Sequence, residues 1–362
     1  MTKDVGVGRL RRIAHRRAVG RRRRQGRRGS EANGPRARST SDWFALVAVS
    51  LPGLAALAAL LFTWMQVGQT SKELRIAEQG QITNRFNAAV TNLGSDSVDV
   101  RLGGIYALER IMQDSARDHP TVVSVLTAYV RRHARLPEVG AEKQQTTSPG
   151  VSPSTDIEAV MNVLAERPLD VDEVFGLDVS RTDLRGLRSG GGGSKFASVV
   201  FQEADLTGAD LTGADLTGAN LTDAIMRTSN LTDARLPGAF LSDADLSGAN
   251  LNEAEMNSAD LADARLTGAK LNGAQLIGAI LNRAVLRSAD LTGANLSAAG
   301  LNDADLVDAN LIYANLVGAD LAEADLTGAD LTGANLTGAI LTDARFTGAT
   351  LKGVRGLPAS LR

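Results

Sequence analysis

The chain has 362 residues, no cysteine and a formal net charge of −2. The lack of cysteine excludes disulfides, thiol catalysis and cysteine-based metal sites. The small net charge conceals an asymmetry: residues 1–40 carry 14 bases against two acids, whereas residues 196–351 carry 21 acids against seven bases. The length allows a membrane anchor, a small helical domain and a repeat domain.

Residues 1–42 form an Arg-rich arm with almost no apolar side chains, and we expect it to be disordered. One interpretation is that the arm binds anionic lipid or nucleic acid, because its charge favours both partners. The other is that it is only a topology signal for the apolar segment that follows. The presence of that segment favours the second interpretation.

Residues 43–65 are predicted to be a transmembrane helix, because Ser50 and Thr63 carry the only polar side chains among these 23 residues apart from the indole N–H groups. Trp43 and Trp64 would lie about 31 Å apart along a helix, close to the thickness of a bilayer's hydrocarbon core. They are the only two tryptophans and are predicted to lie at the two membrane interfaces. A cleaved signal peptide is the alternative, but its apolar core would be shorter and would end in small residues.

The basic residues that flank this segment predict its orientation. Within 20 positions there are six before the segment and three after it. Because cytoplasmic flanks carry the excess of Lys and Arg, the N-terminus is predicted to be cytoplasmic and the repeats extracytoplasmic. The protein would then be a single-pass protein of the cell membrane.

Residues 66–136 are predicted to form an α-helical domain. Apolar residues at helical spacing indicate one helix over 70–92 that stops at Gly94, a second from about Val98 to Gln113 and a third that begins at Pro120. Residues 137–154 read as a linker. Residues 155–176 contain a short helix in which Thr155 and Glu158 form a capping-box pattern, and this helix is predicted to shield the open end of a solenoid.

A five-residue pattern organises residues 177–355, and residues 356–362 are a tail. From Phe196 to Leu351 every fifth residue is a large apolar side chain, and Ala precedes 29 of these 32 centres by two positions. A period of five does not keep one face of a helix apolar, whereas in extended chain residues two apart share a face. Each repeat is therefore predicted to be a short strand and a corner, with Ala and Leu inside and the Asp or Asn between them outside. Leu184 to Phe196 is twelve residues, so the glycines of 190–193 are predicted to bulge from the first coil.

The repeats resemble the pentapeptide repeat family, whose A-(D/N)-L-x-x signature runs from Ala204-Asp205-Leu206-Thr207-Gly208 to Ala334-Asn335-Leu336-Thr337-Gly338. The resemblance implies a mainly β fold, a right-handed quadrilateral β-helix with four repeats per coil and about eight coils. The segment from Leu93-Gly94-Ser95-Asp96 to Asp118-His119-Pro120-Thr121 is similar to a helical segment that precedes such repeats in membrane-anchored bacterial proteins.

The sequence predicts no enzyme, no cofactor, no metal site and no small-molecule substrate. The histidines (His15, His119 and His133) all precede the repeats, so the many hydroxyl groups there have no imidazole base. The run from Gly190 to Lys195 has the order Ser-Lys rather than the Gly-Lys-Ser/Thr of a phosphate-binding loop. Small and large aliphatic side chains would fill the interior and leave no lumen for a ligand.

A partner patch is predicted on the outward columns of the solenoid. With twenty residues per coil, Phe240, Ile280 and Ile340 lie on one column, and Ile225 and Val285 lie on the neighbouring one. Such a patch can mark a binding surface, although scattered apolar surface residues are also normal.

Two functions remain open from the sequence. The first is a membrane-anchored, non-catalytic scaffold that binds another protein or a second copy, for which the uncovered last coil is also available. The second, which the resemblance implies, is an acidic mimic of DNA that occupies a DNA-binding protein such as a topoisomerase.

Overall fold

The computed structural model describes residues 40–137, 152–167, 177–189 and 193–358. Most of the predicted arm and linker therefore lies outside the described residues. Contacts divide the chain into two units, Met1–Leu74 and Arg75–Arg362. The boundary falls within the first helix.

Helix α1 spans Thr40–Leu93 and is continuous over 54 residues. The sequence predicts a transmembrane helix over 43–65 and a continuation as helix over 70–92, and in the structure both segments belong to α1. No proline lies between the two predicted segments, and Gly68 does not interrupt the helix. Thr63 Oγ1 donates to Ala59 O at 2.8 Å and Thr70 Oγ1 to Gln66 O at 2.9 Å, both at helical spacing. The predicted stop is correct, because α1 ends just before Gly94.

The segment Leu51–Leu93 contains a stretch long and apolar enough to cross a membrane, and no other helix among the described residues does. Its most apolar window is entirely unburied within the protein. The Trp64 side chain is 77% exposed. The side chain of Trp43 lies outside the described part of the chain.

Three further helices form a small helical domain: α2 spans Val98–Asp114, α3 spans His119–His133 and α4 spans Thr155–Ala165. They pack against one another through fully buried aliphatic side chains such as Leu108, Leu126 and Leu164. The predicted small helical domain is confirmed.

The predicted capping box of α4 is wrong by one residue. The N-cap is Ser154, which makes no side-chain capping hydrogen bond, and Glu158 N donates to the Ser154 backbone oxygen at 3.0 Å. The third helical position is therefore Ile157. This side chain is 1% exposed and packs in the core, so it cannot supply the reciprocal polar bond of a capping box.

The repeats form a solenoid held together by parallel bridges between residues in successive coils. The bridge partners are 20 residues apart from Lys195 and Asp215 onward, and 22 apart in the first coil, as for Asp178 and Val200. The two additional residues lie between Arg188 and Lys195, where the sequence predicts a bulge; residues 190–192 themselves lie outside the described set. The bridged residues form four columns of nine residues each. The solenoid therefore has nine levels, whereas the 32 repeats at four per coil predict eight.

Each side of a coil is shorter than the predicted strand. Within the described residues the solenoid contains isolated bridges rather than strands. The physical reason is that two of five residues form the corner, which leaves one outward residue to bridge both neighbouring coils. Ile225 illustrates the pattern. Its N–H donates to Ala204 O at 2.9 Å and its O accepts from Leu206 N at 2.7 Å in the preceding coil, and its neighbours Ala224 O and Met226 N bond to Asp245 in the following coil.

The interior of the solenoid is filled. The inward Ala and Leu side chains from Ala204 to Leu336 are at most 1% exposed. At the N-terminal end α4 covers the first coil, and Lys195 N donates to Ala165 O at 2.9 Å. In the last coil the corresponding side chains, including Leu341, Phe346 and Leu351, are only half-buried.

Candidate interaction surface

The outward residues of the solenoid form four faces, one for each bridged column. Face A is the column Asp178, Val200, Asn220, Phe240, Asp260, Ile280, Gly300, Asp320 and Ile340. Faces B, C and D follow face A along each coil. In one coil Arg265 lies on face B, Lys270 on face C and Gln275 on face D, and the next outward residue, Ile280, lies on face A again.

The Asp and Asn side chains of the faces have a local structural role. Asp260 Oδ1 accepts a hydrogen bond from Ala262 N at 3.1 Å, and Asp320 Oδ1 accepts one from Ala322 N at 3.1 Å. Such Asx turns hold the corner that follows each face. One carboxylate oxygen of Asp260 and of Asp320 is therefore used by the fold.

The structure places the predicted patch residues on two faces. Phe240, Ile280 and Ile340 lie on face A and are 52%, 43% and 50% exposed. Ile225 and Val285 lie on face B, so they are separated from face A by a corner that carries Asp223 and Arg283.

The corner between faces D and A extends the apolar surface in the other direction. This corner consists of residues 197–198 and the pairs that follow at 20-residue steps, up to 337–338. None of these residues is charged, and we call this corner the uncharged corner. It contributes Ile277 and Val317, which are 43% and 37% exposed and adjoin face A. The outward columns alone do not reveal these two residues. The sequence could have indicated them, because Pro237, Ile277 and Val317 are apolar residues that recur every 40 residues at the same turn position.

The corner between faces A and B is charged in every coil. This acidic ridge consists of Glu203, Asp223, Asp243, Asp263, Arg283, Asp303, Glu323 and Asp343. Arg283 binds Asp263 through two hydrogen bonds, 2.8 and 2.5 Å long, and this contact lowers the pKa of Asp263. Within the described chain, no ion pair involves Asp223, Asp243, Asp303, Glu323 or Asp343.

Elsewhere on the solenoid, arginines neutralise acids on adjacent coils. The pairs are Arg227 with Asp245, Arg235 with Glu255, Arg287 with Asp305, and Arg345 with Asp325. Burial alone would raise the pKa of Asp245, but hydrogen bonds from Ser247 and Arg227 lower it. Within the described chain the acidic ridge keeps five acids without an ion pair along one corner, and other acids without one, such as Asp210, Asp290 and Asp330, lie on face C.

The helical domain contains a buried ionic cluster that ties three helices together. Arg101 Nε on α2 donates to Asp156 Oδ2 on α4 at 2.8 Å, and the Tyr129 hydroxyl on α3 donates to the same oxygen. Arg101 Nη1 also donates to the backbone oxygens of Ser95 and Asp96. The guanidinium is thus committed to the fold.

The two histidines of the described chain lie in this helical domain. His119 is buried at the start of α3, and the His133 ring stacks on Tyr129 with centroids 4.1 Å apart. Among the described residues no group of three or more His, Asp or Glu side chains could hold a metal ion.

Comparison with known proteins decides the family. The model of the pentapeptide repeats matches eight copies within residues 194–355. The chain belongs to the pentapeptide repeat family. Such repeats imply a right-handed quadrilateral β-helix, which agrees with the four faces. None of the curated proteins compared with the chain matches it.

The chain is also similar to several proteins of solved structure, including these three. HetL, involved in heterocyst differentiation regulation in the cyanobacterium Nostoc, is 39% identical over 49% of this chain and 82% of its own, with a TM-score of 0.39. A pentapeptide repeat protein of the Arabidopsis thaliana thylakoid lumen is 36% identical over 30% of this chain and 71% of its own (TM-score 0.13). QnrB1, a plasmid-mediated fluoroquinolone resistance protein, is 20% identical over 51% and 90% (TM-score 0.27).

Proposed function

We propose that this pentapeptide repeat protein is a membrane-anchored, non-catalytic scaffold whose solenoid binds another protein. The observation that carries the proposal is the exposed apolar surface of face A on a solenoid whose interior is filled. Contiguous exposed apolar side chains favour a macromolecular partner, whereas small molecules need a concave site. Pentapeptide repeat proteins are generally structural or interaction proteins rather than enzymes.

The anchor in this proposal is residues 43–65, with the N-terminus in the cytoplasm and the repeats outside. The length and composition of α1 support it, since a helix with this apolar stretch gains free energy by entering lipid. Protease added to intact cells would digest a C-terminal epitope tag in this orientation. A tag protected until the cells are permeabilised would contradict the orientation.

The partner can be tested within a single coil, because one coil presents all four faces. A photo-crosslinking amino acid is introduced in intact cells in place of Arg265, Lys270, Gln275 or Ile280, one on each face. The proposal predicts a crosslinked protein of defined mass from at least one position. A second copy would appear as a dimer of this chain, and the absence of any product from all four positions would contradict the scaffold.

A DNA mimic is the second candidate, and the acidic repeats favour it. The net charge of −14 over residues 196–351 is about two thirds of the charge on the same length of duplex, which carries about one charge per 1.7 Å. The arginine pairs between coils count against it, because they break the acidic rows into short runs. Inhibition of topoisomerase supercoiling by the purified protein at physiological salt would support this candidate, and lack of binding would remove it.

A further inference from the structure

We propose that face A, the uncharged corner and the acidic ridge together form the docking site for a basic amphipathic helix of another protein. This inference rests on the proposed scaffold function and specifies the chemistry of the partner. Face A is bordered on one side by the uncharged corner, which carries Ile277 and Val317, and on the other side by the acidic ridge. A ligand that covers it must therefore be apolar on one flank and positively charged on the next.

The spacing of the apolar anchors fits a helix. Phe240 and Ile280 are two coils apart, which corresponds to about 10 Å at the usual spacing between bridged chains. A helix advances about 10.5 Å in seven residues and returns to nearly the same face. An extended strand covers this distance in about three residues, an odd number that directs the second side chain away. Ile277 lies beside Ile280 and widens the strip to a width that a helix can contact.

Charge on face A itself requires a cationic partner. Asp260 lies between Phe240 and Ile280 on the column, and Asp320 adjoins Ile340. A partner cannot cover these anchors without removing water from the two carboxylates. Burying an unpaired carboxylate is costly, so the partner must supply positive charges there.

The acidic ridge makes the same demand at the edge of the site. Asp243, Asp303 and Glu323 are exposed and have no ion pair within the described chain. Basic side chains on one flank of the docked helix would pair with them. A second copy of the solenoid or an anionic lipid surface would instead bring like charges together, and is therefore disfavoured.

The first test uses the full chain in discs of zwitterionic phosphatidylcholine, with empty discs as background. The binding partner is a fluorescent Leu/Lys peptide of about 18 residues, long enough to form a helix, with leucines on one face and lysines on the adjoining flank. Its anisotropy is measured at physiological salt. We expect binding that is lost with a peptide of the same composition in which Leu and Lys are mixed evenly around the helix, and with a Leu/Glu peptide.

Variants then locate the binding. Phe240→Ser with Ile280→Ser is expected to weaken it about tenfold or more, because each anchor loses buried apolar area. Neutralising the ridge by Asp243→Asn, Asp303→Asn and Glu323→Gln is expected to weaken it about fivefold. The matched control is Asp210→Asn, Asp290→Asn and Asp330→Asn on face C, for which the change should be less than about twofold. No binding to the unmodified chain, or equal losses for both charge variants, would overturn the inference, because net charge alone would then explain the affinity.

The crosslinking variants in cells separate this inference from the scaffold proposal. A product from the position of Ile280 whose crosslinked segment is a basic amphipathic helix supports both. Products only from the positions of Arg265, Lys270 or Gln275, or a product at Ile280 with a segment of another kind, overturn the docking site and leave the scaffold intact. No product from any face overturns both.

Discussion

Asp156 shows how one side chain can hold the helical domain together. Its carboxylate is 2% exposed, and it accepts hydrogen bonds from Arg101 and Tyr129. Burial alone would raise its pKa, but bonds from Tyr129, Ser154 and Arg101 hold the pKa well below its usual range. Burial and the bond to Asp156 raise the pKa of Tyr129 to about 12.

Replacing this carboxylate should destabilise the helical domain. Asp156→Ala would leave the Arg101 guanidinium partly buried without its carboxylate, at a cost of about 3 kcal/mol. The measurement is urea unfolding followed by far-ultraviolet circular dichroism on the solubilised full chain. Glu158→Ala is the control and should change the midpoint little, because Glu158 is an acid in the same turn whose side chain makes no ion pair or hydrogen bond within the described part of the chain.

The same group predicts the direction of a pH effect. Because the folded-state pKa of Asp156 is lowered, its stabilising contribution is present above the pKa of the unfolded carboxyl and is lost as the pH falls toward the folded value. The difference in stability between the original chain and Asp156→Asn should therefore shrink as the pH falls below about 4. A difference that grows with acidification would contradict this assignment.

The residues of the acidic ridge have an unusual backbone conformation. All eight have φ between 56° and 60°, the left-handed region that favours glycine. Asp tolerates this region better than most residues, whereas β-branched side chains tolerate it poorly. The corner carries a charged residue in every coil, even though glycine would adopt this backbone conformation with less strain.

This strain can be tested at Asp303, whose φ is 57°. Asp303→Val should lower the free energy of unfolding by about 1–2 kcal/mol, whereas Asp303→Gly should stay within about 1 kcal/mol. Lys270→Val is the control, because residue 270 is an exposed bridging position in extended backbone where a β-branched side chain fits. Thermal unfolding by circular dichroism compares the three, and equal losses for both Val variants would argue against strain.

At the scale of the coil, stability comes from filling a narrow interior with alternating small and large side chains. Every inward position in the middle coils is fully buried. The backbone of each outward residue bonds to the preceding coil, and the backbones of the two inward residues beside it bond to the following coil. Each coil therefore depends on its neighbours, as expected for a quasi-one-dimensional repeat. The last coil has a neighbour on one side only within the described chain, and its inward residues are half-buried.

A pair of identical substitutions tests this view. Leu286→Ala in the middle should cost about 2–5 kcal/mol, because it removes buried methyl groups and leaves a cavity. Leu351→Ala in the last coil should cost less than half as much, since that leucine is already partly exposed. Urea unfolding of both variants decides the matter, and equal costs would show that the last coil is as well covered as the middle.

At the scale of the whole molecule, apolar and charged surface is distributed unevenly. The unburied apolar stretch of α1, the apolar surface along face A and the acidic ridge each favour a different environment. A charged side chain at the centre of a membrane helix opposes insertion, whereas the same charge on a helix in water is harmless.

Membrane anchoring can be tested by placing charges on α1. Leu57→Arg with Leu60→Arg should move the protein from the membrane to the soluble fraction, because each Arg costs about 2.5–3.5 kcal/mol at the centre of a span. Leu74→Arg with Ile76→Arg, at exposed positions of α1 outside the predicted span, is the control and should stay in the membrane. Fractionation after carbonate extraction gives the readout, and unchanged fractionation of the first variant would contradict the anchor.

Much of the fold could be predicted because its signals are local. The five-residue period is set by how many residues form one side and one corner, so the inward Ala and Leu positions follow from the sequence. The 20-residue register followed from the resemblance to the pentapeptide repeat family, which implies four repeats per coil. The helices of the small domain follow from apolar spacing in the same way. The exact start of α4 could not be predicted in this way, because the local pattern does not specify that Ser154 rather than Thr155 is the N-cap.

The candidate surface divides differently between sequence and structure. The sequence by itself determined the five-residue period, and the family resemblance implied the four columns and with them the alignment of Phe240, Ile280 and Ile340. Only the tertiary structure decided that Ile277 adjoins this line, that a charged corner separates Ile225 from it, and that Arg101 reaches Asp156 across 55 residues of chain. The physical reason is that a repeat fixes contacts at one constant separation, whereas a corner or a buried ion pair depends on side chains that folding brings together from unrelated positions.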